Sequence, residues 1–243
     1  MTTPRFYHPT LPLHGRRADL PPDAAHHAAK VLRLQGGDPI VLFDGTGGEY
    51  PAIITRITKQ GVTAEIGSRQ ERGCESPLDV TLAQAISSGD KMDYTLQKAV
   101  ELGITHIQPI ASERSVVKLS GERAEKRVLH WQQVVISACE QCGRNHVPQV
   151  APIITLTDWL GTLATEGIRL TLAPDAPVSL SQLPPPAAPI TLLIGPEGGL
   201  SPSEIKAAAS CGFIPVRLGP RVLRTETAAL AVLAAIQILW GDF

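Results

Sequence analysis

The sequence predicts an α/β protein in two parts: a small β-rich domain over residues 1–72 and a larger domain over residues 73–243 with a mostly parallel sheet. Three observations carry this. From Leu78 onward, apolar or β-branched runs alternate with helix-patterned segments, the signature of a parallel sheet covered on both faces. Before Arg72 the strand-like runs are short and broken by glycine turns, the pattern of a small barrel or sandwich. Near the C-terminus, two strand-like runs stop at Gly-Pro pairs: LLIGPEGGL at Leu192–Leu200 and VRLGPRVLRTETA at Val216–Ala228. Gly and Pro together punctuate a strand end, and glycine lets backbone approach a ligand closely. Two such loops at the carboxyl ends of neighbouring strands form a crevice where open α/β sheets bind ligands.

In the first domain, Pro39–Asp44, Tyr50–Lys59 and Val62–Arg69 read as strands, with turns at Gly45–Gly48 and Gly61. Ala24–Leu34 has helical character and stops at Gly36-Gly37. The texture changes at Arg72–Pro77. Beyond it, Leu78–Ile86 is a strand and Asp90–Leu102 a helix closed by Gly103, with Met92, Leu96, Ala99 and Val100 on one face. Ile104–Ile110 is strand-like. Glu122–Cys142 is a long helix with a buried stripe of Val128, Trp131, Val135, Ala138 and Cys142. Arg169–Ala173 and Ile190–Ile194 are strands separated by a proline-rich stretch. Ser201–Cys211 is a helix with Ser201 at N-cap, Pro202 at N1 and Glu204 at the capping-box position. Pro215–Leu218 is a strand. The final helix, Thr225–Trp240, is apolar almost all round, so it is buried within a large core or between subunits.

Composition narrows the classes of function. The 243 residues are 43% apolar, 19% charged and only 4% aromatic, so a sizeable aliphatic core is available. A net charge of −1 gives no global argument for a polyanionic partner. Residues 1–72 hold nine Lys/Arg against seven Asp/Glu, and the remainder thirteen against sixteen, so nucleic-acid contact must come from local clusters. No apolar run approaches the roughly 20 residues of a membrane span, and MTTPRFYHP lacks a signal-peptide core. Four cysteines are too few for a disulfide scaffold, which favours a reducing cytoplasm.

Motif exclusion removes several chemistries. There is no GxxxxGK[ST], no GxGxxG after a strand and no GxSxG, which disfavours P-loop, Rossmann and serine-hydrolase sites. Cys139 and Cys142 form a CxxC near His130 and His146, but a structural zinc wants a second ligand pair with its own spacing. No metal is expected, and Cys142 is read as core. Basic residues cluster in three places: Arg5, Arg16, Arg17, Lys30 and Arg33; Arg114, Lys118, Arg123, Lys126 and Arg127; and Arg221 with Arg224. The first two are solvated faces or phosphate contacts. The third lies inside the second glycine loop, where paired guanidiniums are a site feature.

The segments GDKMDYTLQKAVELGITHIQPI, ACEQCGRN, LLIGPEGGLSPSEI and LGPRVLRTETAAL closely resemble the RsmE family, bacterial 16S rRNA (uracil-1498-N3)-methyltransferases of the SPOUT class. PRFYH and HHAAKVLRLQGGDPIVLFDGTGGEY resemble the same family's PUA-like RNA-binding barrel. The resemblance covers nearly the whole chain. It implies a deep trefoil knot in the larger domain and S-adenosylmethionine as cofactor. The cofactor would be lined by Gly195, Glu197, Gly198 and Gly199 from the first loop, and by Leu218, Gly219, Val222, Leu223, Arg224 and Thr225 from the second. The methyl group would pass to N3 of a uridine, with Arg224 stabilising charge on the pyrimidine oxygens and Glu226 or Glu197 accepting the proton. RNA would be held by Arg5, Arg16, Arg17, Lys30 and Arg33, with Arg144 and Arg221 facing the substrate. The implied partners are 16S rRNA or the assembled small ribosomal subunit and a second copy of the chain, with no membrane. Two rivals stand beside this: a related methyltransferase acting on another RNA base, and a non-catalytic RNA-binding or assembly factor. Intact glycine loops with Arg221 and Arg224 favour catalysis.

Overall fold

The computed structural model describes residues 3–11, 17–164 and 166–243. It divides into two compact units, one formed by residues 1–75 with 139–147 and the other by residues 76–138 with 148–243.

The first unit is built on a six-stranded sheet of β1 (Arg5–Tyr7), β2 (Arg17–Asp19), β3 (Pro39–Phe43), β4 (Gly48–Ile57), β5 (Val62–Ile66) and β6 (Gln70–Glu71). The strand order is β1–β3–β4–β5–β2, with β6 also on β4; among the described residues only β1 and β3 run parallel. A short helix, α1 (Pro22–His26), and the turn that follows it lay Ala24, Ala25 and Ala28 against Phe6, Ile40, Leu42, Ile54 and Ala64. Small alanines let the helix approach the sheet closely, and these side chains form one core. The helical stretch is shorter than its sequence suggests. It widens into a π-helical turn at His27–Val31, and Arg33 takes a left-handed conformation at φ 55°, before the glycines are reached. Strands β1 and β2 have three residues each, too few for periodicity to reveal.

Residues 139–147 join this unit through a buried polar network. Arg5 Nη1 donates to Glu49 Oε2 at 2.5 Å, and its Nη2 to Asn145 Oδ1 at 2.6 Å, while its guanidinium sits 5.0 Å from the centre of the Phe43 ring. Glu75 receives Arg144 Nε at 2.8 Å and the backbone N–H groups of Asn145 and His146 at 2.9 and 3.1 Å. Glu140 Oε1 accepts from the Tyr7 N–H at 2.9 Å. Of the two cysteines, Cys139 rather than Cys142 is fully buried, and burial pushes its thiol up to about 12.

The second unit holds β7 (Val80–Ala85), α2 (Lys91–Glu101), β8 (His106–Ala111), most of α3 (Gly121–Cys142), β9 (Gln149–Val150), β10 (Ile154–Thr155), α4 (Leu156–Leu160), β11 (Ile168–Leu172), β12 (Ile190–Ile194), α5 (Pro202–Ser210), β13 (Ile214–Val216) and α6 (Thr225–Trp240). Its sheet runs β10–β8–β7–β12–β11–β13, with β9 also on β8, and every pairing among the described residues is parallel. Ala83 and Leu193 of the central strands pack with Leu156, Trp159, Ala208 and Phe213 of α4, α5 and the turn after α5. Their neighbours Leu82 and Leu192 point the other way and are equally buried, so both faces of the sheet are covered. On the other side α2 packs against α6.

Helix α6 is less enclosed than its composition suggests. Ala229, Val232, Leu233 and Ile236 are inaccessible, but Ile238 and Leu239 are exposed. Its far end is pinned by Gln237, which donates to the Leu102 carbonyl at 2.9 Å and accepts from Ser76 Oγ at 2.9 Å. No helix among the described residues is long and apolar enough to cross a membrane.

The Arg5–Glu49 pair yields a test. The side chains are 11% and 3% exposed, so Arg5→Met leaves a buried carboxylate with only the more distant Arg72, at 3.7 Å, and costs about 3 kcal/mol. Urea denaturation should show that loss as a lowered midpoint, while Arg17→Ala, at an exposed position, leaves it within about 0.5 kcal/mol. An unchanged midpoint for Arg5→Met would contradict the structural role.

Candidate active site

Strand β12 is buried and aliphatic except at Thr191, and it ends at Gly195-Pro196. The loop turns back on itself through a Gly199 N–H to Pro196 carbonyl bond of 2.9 Å, with Gly199 at φ +68°, a conformation that side chains disfavour. It then enters α5 through the expected capping box: the Glu204 N–H donates to Ser201 Oγ at 3.2 Å, and the Ser201 N–H donates to Glu204 Oε2 at 2.8 Å. Three further contacts brace this loop. Glu204 Oε1 accepts from the Glu113 N–H at 2.9 Å. Arg114 Nη1 donates to the Gly198 carbonyl at 3.2 Å. Glu197 Oε1 accepts from the Ser88 N–H at 3.1 Å, Ser88 Oγ at 2.9 Å and, more distantly, Lys91 Nζ at 3.4 Å. A Cβ at Gly198 would meet the Arg114 side chain at 3.3 Å, so the close approach depends on glycine.

The second loop leaves β13 at the edge of the sheet and ends at Arg224, the N-cap of α6. At its start, the Arg217 N–H donates to Val178 O at 2.9 Å and the Leu180 N–H to Arg217 O at 3.2 Å, so the β11–β12 connection runs beside it. At its end, Thr225 Oγ1 donates to the Gly195 carbonyl at 2.7 Å and lies 3.0 Å from the Nε2 donor of Gln84, a fully buried residue of β7. One hydroxyl thus joins the second loop to the first and to the central strands.

Between the loops lies a cavity of about 760 Å³ at the carboxyl ends of β11, β12 and β13. Its wall combines apolar side chains such as Leu172, Ile194 and Val216 with loop backbone, and its charged lining residues are Lys91, Asp175, Glu197, Arg221 and Arg224. An apolar pocket with few convergent polar groups suits a flat, weakly polar ligand portion. Burial tends to raise the Glu197 carboxyl, but hydrogen bonds from its own N–H, from Ser88 and from Lys91 outweigh this and hold it below the usual carboxylate range. Glu197 is therefore an ionised anchor for the loop rather than a group waiting to take a proton.

The structure brings Gly195, Glu197, Gly198, Gly199, Leu218, Gly219, Arg221, Val222, Leu223, Arg224 and Thr225 onto this one cavity. Glu226 does not line it; the side chain is in the first turn of α6, and Oε2 is buried without a hydrogen-bond partner. Arg5 and Arg144 are held inside the first unit by Glu49, Asn145 and Glu75 rather than presented to a ligand. Arg17, Lys30 and Arg33 are exposed on that unit, and Arg16 lies outside the described residues. Sequence reasoning missed Lys91 and the Ala173–Asp175 turn. The available signal was APD following a third parallel strand, the same position as the two glycine loops.

Comparison with known proteins agrees with this geometry. A family model described as an RNA methyltransferase domain matches residues 74–237, and one described as an RNA methyltransferase PUA domain matches residues 20–67. The chain is 37% identical over 217 residues to ribosomal RNA small subunit methyltransferase E of Buchnera aphidicola (subsp. Schizaphis graminum), covering 89% of this chain and 88% of the relative. It superposes on the crystal structure of a ribosomal RNA small subunit methyltransferase E from Neisseria gonorrhoeae bound to S-adenosyl methionine with a TM-score of 0.93 and 46% identity, over 100% of both chains. A Legionella pneumophila structure with the cofactor SAM bound aligns over 100% of both chains at a TM-score of 0.95 and 40% identity. The chain belongs to the ribosomal RNA small subunit methyltransferase E family of RNA methyltransferases.

Proposed function

We propose that this protein transfers a methyl group from S-adenosylmethionine to N3 of uridine 1498 in 16S rRNA, acting in the cytoplasm as a homodimer on the rRNA or the assembled small subunit. The observation that carries the reading is the closure of two glycine loops around one cavity through the Thr225–Gly195 bond. The residues present fit the cofactor. The Cβ position of Gly199 faces open space, and aliphatic residues offer a face for an adenine. Bound there, S-adenosylmethionine supplies a methyl group activated by its sulfonium.

The chain's own groups do the rest. Loop backbone and apolar walls exclude water and orient the reactants. The uracil N3 proton must leave as the nitrogen attacks, and negative charge spreads to the neighbouring carbonyl oxygens. Arg224, on the cavity wall, is assigned to those oxygens, where a guanidinium supplies paired donors. Of the two candidate carboxylates, Glu197 is occupied by Ser88 and Lys91, and Glu226 lies off the cavity wall with a buried oxygen; the N3 proton is assigned to water. Arg221, from the same loop, is assigned to the RNA backbone.

The finer architecture belongs to this reading. The first domain, taken as residues 1–72, is read as a PUA-like barrel that holds RNA phosphates through Arg17, Lys30 and Arg33. Residues 73–243 are read as a knotted SPOUT domain. Supporting the knot, the β11–β12 connection is hydrogen-bonded to Arg217, while Thr225 is fixed to the central strands, so the last segment crosses beside that connection. The exposed Ile238 and Leu239 at the end of α6 support a subunit face.

Nucleoside analysis of 16S rRNA tests the assignment. A deletion strain should lack 3-methyluridine, the intact gene should restore it, and Arg224→Ala should restore it at least 100-fold more slowly. Persistence of 3-methyluridine in the deletion strain would overturn the substrate. For the first domain, combined Arg17→Ala, Lys30→Ala and Arg33→Ala should weaken binding to an rRNA fragment and reduce the slope of log affinity against log salt by about two. An unchanged slope would remove these residues from the interface.

A further inference from the structure

Glu197 fixes the first loop mainly through Ser88. Two donors from that residue reach Oε1 at 3.1 and 2.9 Å, while Lys91 Nζ stands off at 3.4 Å from the same oxygen. An ammonium carries three donors. A carboxylate oxygen already accepting two shorter bonds uses only part of one of them, so Lys91 keeps hydrogen-bonding capacity to spare. Its side chain is 33% exposed and lies on the cavity wall. The other cations lining the cavity, Arg221 and Arg224, both come from the second loop. Lys91 comes from the first turn of α2 and is tied to the opposite, first loop.

The charges of the ligand decide what a cation can do there. On the reading above, S-adenosylmethionine carries a positive sulfonium at its centre and an ammonium and a carboxylate at its amino-acid end. A fixed ammonium repels the two cations and attracts the carboxylate. With Arg221 and Arg224 assigned to the RNA and the uracil oxygens, Lys91 is the remaining cation on the wall. We infer that Lys91 is a cofactor-binding residue whose ammonium, positioned by Glu197, binds the carboxylate of the amino-acid end of S-adenosylmethionine. Lys91 then sets specificity for the intact amino-acid cofactor over adenosyl compounds without the acid.

This inference rests on the proposed cofactor, and one calorimetric series separates the two. The wild-type protein is titrated with S-adenosylmethionine and with decarboxylated S-adenosylmethionine, which keeps the sulfonium and the amine. Failure of the wild type to bind S-adenosylmethionine would overturn the cofactor reading itself. Given binding, Lys91→Met should weaken S-adenosylmethionine about tenfold, the scale of one lost charged hydrogen bond, and leave the decarboxylated compound bound at least as tightly as by the wild type. Lys91→Arg should recover most of the loss. Equal weakening of both compounds would assign Lys91 a merely structural part in holding the loop. Unchanged binding of both, with or without a rise in KM for the RNA, would also overturn the inference.

Discussion

Thr225 Oγ1 donates to the Gly195 carbonyl and accepts from Gln84 Nε2, so the first residue of the last helix is fixed to the ends of two central strands. Much of the candidate site depends on that arrangement. The second loop leaves a three-residue strand at the sheet's edge, and its start is hydrogen-bonded to the β11–β12 connection. Thr225 is 6% exposed and Gln84 inaccessible, so the bonds form where water cannot replace them. Breaking them leaves buried polar groups unpaired, which costs more than the bonds themselves contribute. Gln84 Oε1 already lacks a partner among the described residues, leaving little slack.

The first loop is prepared differently. It is short and glycine-rich, and it is braced by the Ser201–Glu204 capping box, by Arg114 on the Gly198 carbonyl and by Glu197 on Ser88. A loop ordered before the ligand arrives spares the entropy of ordering it on binding. Charged side chains here serve mainly to position backbone, and the cavity wall remains largely apolar. That division suits a reaction in which the chain must orient two reactants and stabilise developing charge on a base.

How much of this was legible in the sequence follows from length and locality. Strand β12, helix α6 and the capping box of α5 carried strong local signals: a continuous aliphatic run, an unbroken helical pattern, and Ser-Pro-Ser-Glu in the right register. Strands β1, β2, β9, β10 and β13 have two or three residues each, and their existence depends on pairing with distant partners. The two glycine loops were legible as one site because both follow parallel strands. Charge alone did not reveal which arginines were free. Arg5 reads as one of a basic cluster with Arg17 and Arg33, and Arg144 as a cation facing the substrate, but Glu49 and Asn145, remote in sequence, take the first and Glu75 the second. Lys91 was invisible for the converse reason, being one lysine in an amphipathic helix until Glu197 is seen beside it.

In the proposed function two loops act as one cofactor site because a threonine hydroxyl joins them. Calorimetric titration of S-adenosylmethionine into Thr225→Val, which keeps the shape and removes the hydroxyl, tests this most directly. One site per chain is expected in the native protein and at least tenfold weaker binding in the variant, with circular dichroism showing an intact fold. Native-like affinity in a folded Thr225→Val protein would contradict this role of the hydroxyl.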